Sequence, residues 1–254
     1  MMKKKNRIGE VNYNTFGTLM KIIEYNSNSN IVIEFQDKNR YKKKTIYKAF
    51  KEGKIKNPYD KTIYNVGYLG EGKYSNKKHE KIYDTWEHML RRCYDPYHIN
   101  KNLTYKDCFV CDEWHCFQNF AKWYEDNYYK VLNEIMHLDK DILIKGNKIY
   151  SPNTCIFVPQ RINTLFIKND VNRGKHPIGV RWETDRNKYR ANCSIFIGEK
   201  KKTIVKRFDT EAEAFDWYKK EKENYIKQVA EEYKEFIPIK LYNAMHRYKV
   251  EISD

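Results

Sequence analysis

Asp139 and Asp141 lie two residues apart, the spacing at which an extended segment points both carboxylates to one face. Asn153 follows in the turn Ser151-Pro152-Asn153 and is the residue there whose side chain reaches back as a hard oxygen. Asp and Asn oxygens suit Mg²⁺, which takes a few protein oxygens and keeps its other positions for water and phosphate. Asp139, Asp141 and Asn153 are therefore candidate metal ligands. A second candidate is Cys108 with Cys111, near His115 and Cys116, which have the spacing of half a zinc site. The chain has no second Cys-x-x-Cys pair, so the competing account is buried thiols beside Trp114.

The elements that would position the first group lie between Leu138 and Leu165. That tract is expected to form a strand, a loop, a second strand and a helix. Cys155 to Val158 is a short apolar run, and Pro159 suits the first turn of a helix. This pattern resembles the HNH, or ββα-metal, nucleases of phages and mobile introns. The resemblance runs from about Tyr83 to Phe166 and includes the preceding segment with Trp86, Arg91, Arg92 and Trp114. It implies that Asp139 and Asn153 are the metal ligands and that Asn163 is the helix residue of the site. Lys140 falls where the family carries its general-base His. A lysine of ordinary pKa is protonated at neutral pH and cannot take a proton from water. His137, two residues before Asp139, is the nearest imidazole and the candidate replacement base. Lys140 is expected to hold a phosphate as a cation, and would act as a base only if desolvated.

The charge points to polyphosphate. The 254 residues hold 49 Lys+Arg against 34 Asp+Glu, a formal net charge of +15, and the pI is about 9.3. Residues 1–61 concentrate the excess, with 15 Lys/Arg against 6 Asp/Glu. Such a surface attracts and steers nucleic acid; the bland alternative is a solvated, lysine-rich exterior. No apolar run is long enough to span a membrane. No secretory signal is recognisable at the start, and the six cysteines are expected to be reduced thiols in a cytoplasm, that of a bacterial host.

Around the central motif the patterning predicts three further segments. In residues 1–66, Ile31, Ile33 and Phe35 alternate with polar neighbours, and Asp37-Lys38-Asn39 reads as a turn. A basic, small SH3-like β-barrel is expected there, of a kind similar to N-terminal modules of phage HNH proteins. Gly67, Gly70 and Gly72 lack the Lys-Ser/Thr of a phosphate loop, so 67–82 is expected to be a flexible linker. Residues 83–170 then form the helical and HNH-like domain, whose aromatic stripes at helical spacing are expected to be core. In residues 174–235, Lys188, Arg190, Asn192 and Ser194 alternate with Tyr189, Ala191, Cys193 and Ile195. Thr210 and Glu213 follow as a capping-box pair. A three-stranded sheet is expected, with one face on a helix and the other bare and cationic. The run Gly179-Val180-Arg181-Trp182, with Lys188-Tyr189-Arg190 and Phe208-Asp209-Thr210, resembles the AP2 DNA-binding domain. That resemblance implies DNA contacts by Arg181, Trp182, Arg186, Lys188 and Arg190. Residues 236–254 read as a basic tail with no assigned role.

The expectation is thus an α+β protein in three parts: barrel, helical plus ββα-metal middle, and AP2-like sheet. Its expected function is that of a phage-type HNH homing-endonuclease relative that binds double-stranded DNA and cleaves it with Mg²⁺. The alternative is a catalytically inactive DNA-binding or protein-binding regulator that inhibits a host nucleic-acid-handling system such as CRISPR.

Overall fold

The computed structural model describes residues 6–167, 175–197 and 200–252; the Met1 to Lys5 start falls outside them. The chain is mixed α+β and divides into two compact units, Met1–Asp126 with Lys148–Pro152, and Asn127–Asn147 with Asn153–Asp254. The boundary falls inside 83–170, so that stretch is shared between two units rather than being one.

In the first unit, β1 (Val11–Tyr13), β2 (Leu19–Ser27), β3 (Asn30–Phe35) and β4 (Lys42–Thr45) form an antiparallel sheet in chain order. Alternation along β2 and β3 buries Met20, Ile22, Ile31, Ile33 and Phe35, which are joined by Phe50 of α1 (Tyr47–Lys51) and by Ile55. The Asp37 turn forms as its residues predict: Asp37 Oδ1 accepts from the amides of Asn39 at 2.9 Å and Arg40 at 3.1 Å. The sheet is open, however, with β1 and β4 as its edges, and among the described residues no closed barrel forms. β4 is four residues long and its Lys42, Lys43 and Lys44 are exposed. Such a strand ends a sheet rather than pairing further.

Residues 67–82 are not a loose connection. The Gln118 side chain donates to the carbonyls of Leu69 (3.1 Å) and Tyr74 (3.0 Å) and accepts from the Tyr74 amide (3.1 Å). The glycines permit close approach. A Cβ on Gly67 would lie 2.5 Å from Leu90 Cδ1, and one on Gly70 would lie 2.6 Å from Cys116 Sγ. Next come α2 (Glu80–Tyr94) and α3 (Pro96–Lys101), then the short β5 (Phe109–Val110) and α4 (Phe117–Asn127). Trp86, Met89, Leu90 and Cys93 of α2 are buried, as are Phe117, Phe120, Ala121 and Tyr124 of α4. Trp86 Nε1 donates to the Trp114 carbonyl at 2.7 Å, satisfying the one polar atom of a fully buried indole.

In the second unit, β6 (Met136–Asp139) pairs antiparallel with β8 (Ile156–Pro159), and α5 (Gln160–Asn163) packs on both. Between β6 and β8 in sequence comes β7 (Ile149–Tyr150), which belongs to the first unit and pairs there with β5. Downstream, β9 (Val180–Glu183), β10 (Lys188–Ile197) and β11 (Lys200–Phe208) form an antiparallel sheet with β10 in the centre. α6 (Glu211–Tyr233) starts at Thr210, whose side chain and that of Glu213 complete the predicted capping box. Its first half buries Ala214, Phe215 and Tyr218 under Val180, Ala191 and Cys193 of the sheet. Its second half buries Tyr225, Ile226, Val229 and Ala230 against Ile156, Val158 and Ile162 of the β6–β8–α5 motif. One helix therefore carries both motifs. Residues 236–254 are more than a tail: α7 (Ile239–Arg247) buries Leu241 and Met245 in that same core. Its hydrophobic positions recur at helical spacing behind Pro238, a pattern that the basic residues mask. Among the described residues, no helix is long and apolar enough to cross a membrane.

Candidate functional site

Lys140 is the centre of the first candidate site. Strand pairing ends at Asp139, and the chain bends there instead of running on extended. Asp139 Oδ1 caps the bend, accepting from the amides of Asp141 (2.9 Å) and Ile142 (2.7 Å). Lys140, only 7% exposed, donates its ammonium to Asp141 Oδ2 and to the Asn147 carbonyl, both at 2.9 Å. Asn147 Nδ2 returns a bond to the Lys140 carbonyl at 2.6 Å. The lysine is thus turned inward to hold its own loop and is not presented to an external phosphate. Burial pushes the Asp139 carboxyl up to about 6, and the neighbouring charge of Asp141 adds to the rise.

His137 is two residue pairs back along the strand, opposite Val158, and so shares a strand face with Asp139. Its Nε2 lies 3.3 Å from Gln160 Oε1 at the start of α5. Asn163 closes α5 and is half-buried; Asn153 is exposed, three residues before the partner of Asp139, Ile156. Cys108 is buried in the first unit, with its thiol 3.8 Å from the Thr104 carbonyl, while Cys111 is half-buried and its thiol is pushed up by desolvation. Among the described residues, no three His, Cys, Asp or Glu side chains are grouped to hold a metal ion. Asn147 is a partner that the motif does not name; its signal in the sequence is the Gly146-Asn147 turn, where Gly146 takes a φ of 78°.

The second candidate is the outer face of the three-stranded sheet. Antiparallel partners share a face, so the register places Arg181, Arg190 and Arg207 side by side across β9, β10 and β11. Asn192 with Val205, and Ser194 with Thr203, continue this face along the β10–β11 ribbon. The three strands contain eight basic residues and one acidic residue, Glu183. Glu183 accepts from Arg207 Nε at 2.6 Å and Arg190 Nη1 at 3.0 Å, with Arg181 Nη2 at 3.5 Å. These bonds, that from Arg207 foremost, hold its carboxyl below the usual range. Lys188 is paired with Asp209, and Arg186 lies 3.6 Å from Asp185. Trp182 is turned to the other face, where its ring meets that of Tyr189 at 4.8 Å. Of the five expected contact residues, Arg181, Lys188 and Arg190 therefore share the outer face, joined by Arg207. Arg207 was legible in principle, because alternation back from Phe208 puts it outward.

No family model matches the chain, and neither a curated protein nor a solved structure matches it.

Proposed function

We propose that this chain is a duplex DNA-binding protein that uses the outer face of its β9–β11 sheet, and that its β6–β8–α5 motif is a structural descendant of a ββα-metal site. The observation that carries this reading is the Arg181–Arg190–Arg207 row on a sheet face with one acidic residue. Arginine forks match phosphate oxygens and the guanine edge, and a twisted sheet or ribbon fits the major groove. The likeness of the sheet and its capped helix to the AP2 domain supports it. The basic N-terminal segment adds charge that favours any duplex sequence.

The donor set does not fit Mg²⁺. One oxygen of Asp139 is engaged by two amides, Asp141 takes the Lys140 ammonium, and a buried cation there opposes a second one. Lys140 therefore stands in the motif as its fixed internal cation.

Hydrogen–deuterium exchange with and without a duplex tests the reading. Peptides covering β10 and β11 are expected to slow on DNA addition, with no Mg²⁺- or Mn²⁺-dependent nicking. An unchanged sheet would remove the DNA reading. Nicking that Asp139→Ala abolishes would restore the nuclease.

A further inference from the structure

We infer that Glu183 is a positioning residue that sets the three arginines of the sheet for sequence discrimination, at a cost in overall affinity for DNA. The inference rests on the DNA-binding reading above. Glu183 is the one carboxylate in the three strands, and its side chain is 10% exposed although it lies on the open face. It is covered by the arginines themselves: Arg207 on one side, Arg190 across the ladder, and Arg181 along its own strand.

The geometry separates orientation from charge. An arginine on a bare sheet samples many rotamers, and its planar fork reads a base edge only when that plane is fixed. Glu183 fixes it for two strands at once. Arg207 gives its Nε and Arg190 only its Nη1, so both keep terminal N–H groups clear of the carboxylate. Arg190 Nε is buried and has no hydrogen-bond partner, which means that the guanidinium is held by Glu183 and by packing. A single negative charge beneath three positive ones leaves the cluster net cationic. It also repels phosphate, so an arrangement selected for affinity alone would omit it.

The consequence is a pair of effects of opposite sign. With Glu183→Gln, which keeps the shape and removes the charge, affinity for an arbitrary duplex should rise about two- to tenfold at low salt. At the same time, enrichment of any preferred sequence from a randomised duplex pool should weaken, because the arginine planes are no longer set. A residue that merely supports the fold would lower both.

The test is selection from a randomised duplex pool with wild-type protein and Glu183→Gln, alongside thermal melting and anisotropy on one unselected duplex. The Arg207 Nε–H signal in ¹⁵N NMR reports the clamp directly; it should be sharp in wild type and exchange-broadened in Glu183→Gln. Glu183→Asp, which keeps the charge but shortens the reach, covers the case in which the glutamine does not fold; it should weaken enrichment without the gain in affinity. A motif enriched equally by wild type and variants overturns this inference and leaves DNA binding standing. Failure of wild type to bind any duplex overturns both.

Discussion

Lys140 and Asn147 close on each other twice, the lysine ammonium on the asparagine carbonyl and the asparagine amide on the lysine carbonyl, at 2.9 and 2.6 Å. That reciprocal clamp explains why a lysine stands beside Asp139: it ties down the loop between β6 and β7. Lys140→Ala leaves the Asn147 carbonyl and the Asp141 carboxylate without this donor. It should cost about 1–3 kcal/mol, the lower part of the range being favoured because Asp141 is half exposed. Lys140→His, whose ring is too short to keep both bonds, should also lower Tm and should not create nicking. Urea melts and a nicking assay on this variant check both statements. Metal-dependent cleavage by Lys140→His would contradict this and favour the nuclease reading of the motif.

The pH dependence of Asp139 gives a second check. Its folded pKa of about 6 lies above the ordinary carboxylate value, so the native state holds the proton more tightly than the unfolded chain. The stability this contributes is complete below about pH 4 and is lost as pH rises through 6. Asp139→Asn keeps an oxygen for the two amides and removes the charge. It should therefore be more stable than wild type at pH 7.5, by about 1–3 kcal/mol, and close to it at pH 4. Paired denaturant melts at the two pH values decide this. A variant destabilised equally at both would mean that the carboxylate itself is needed.

Gly67 and Gly70 test the segment that looks like a linker. Gly67→Ala places a methyl against Leu90 and Trp86, and Gly70→Ala adds strain at a φ of 70°. Each should cost about 1–3 kcal/mol. Limited proteolysis of wild type should spare residues 67–82. Rapid cutting there, with both variants as stable as wild type, would return the segment to a linker.

Leu241→Ala probes the C-terminal helix in the same way. Leu241 is fully buried, so its loss should cost about 2–5 kcal/mol. A solvated tail would make the substitution neutral.

Several features were legible because local pattern and tertiary role agree. The alternation of Ile31, Ile33 and Phe35, the aromatic stripes of α2 and α4, the Thr210–Glu213 cap and the inward placement of Tyr189 each follow from a period or a cap. Other features depend on partners far along the chain. Whether β1 meets β4 is a question of closure that strand patterns do not contain. The glycines at 67–72 read as flexibility until Leu90, Cys116 and Gln118 arrive beside them. The spacing of Asp139 and Asp141 promised a shared face only for an extended strand, and the chain bends after Asp139. The inward turn of Lys140 was hidden because its partner, Asn147, lies across a loop whose length allows many closures. Trp182 was grouped with Arg181 by motif, although alternation alone sends neighbours to opposite faces.

The most direct test of the account is an anisotropy titration of a labelled duplex at a series of salt concentrations, for wild type and for Arg190→Ala with Arg207→Ala. The account predicts wild-type binding that weakens steeply with salt. It also predicts that the double variant binds at least tenfold more weakly, with a slope of log K against log salt reduced by about one to two, while melting near the wild-type temperature. Wild-type binding that is absent at low salt, or a folded double variant that binds as tightly as wild type, would contradict it.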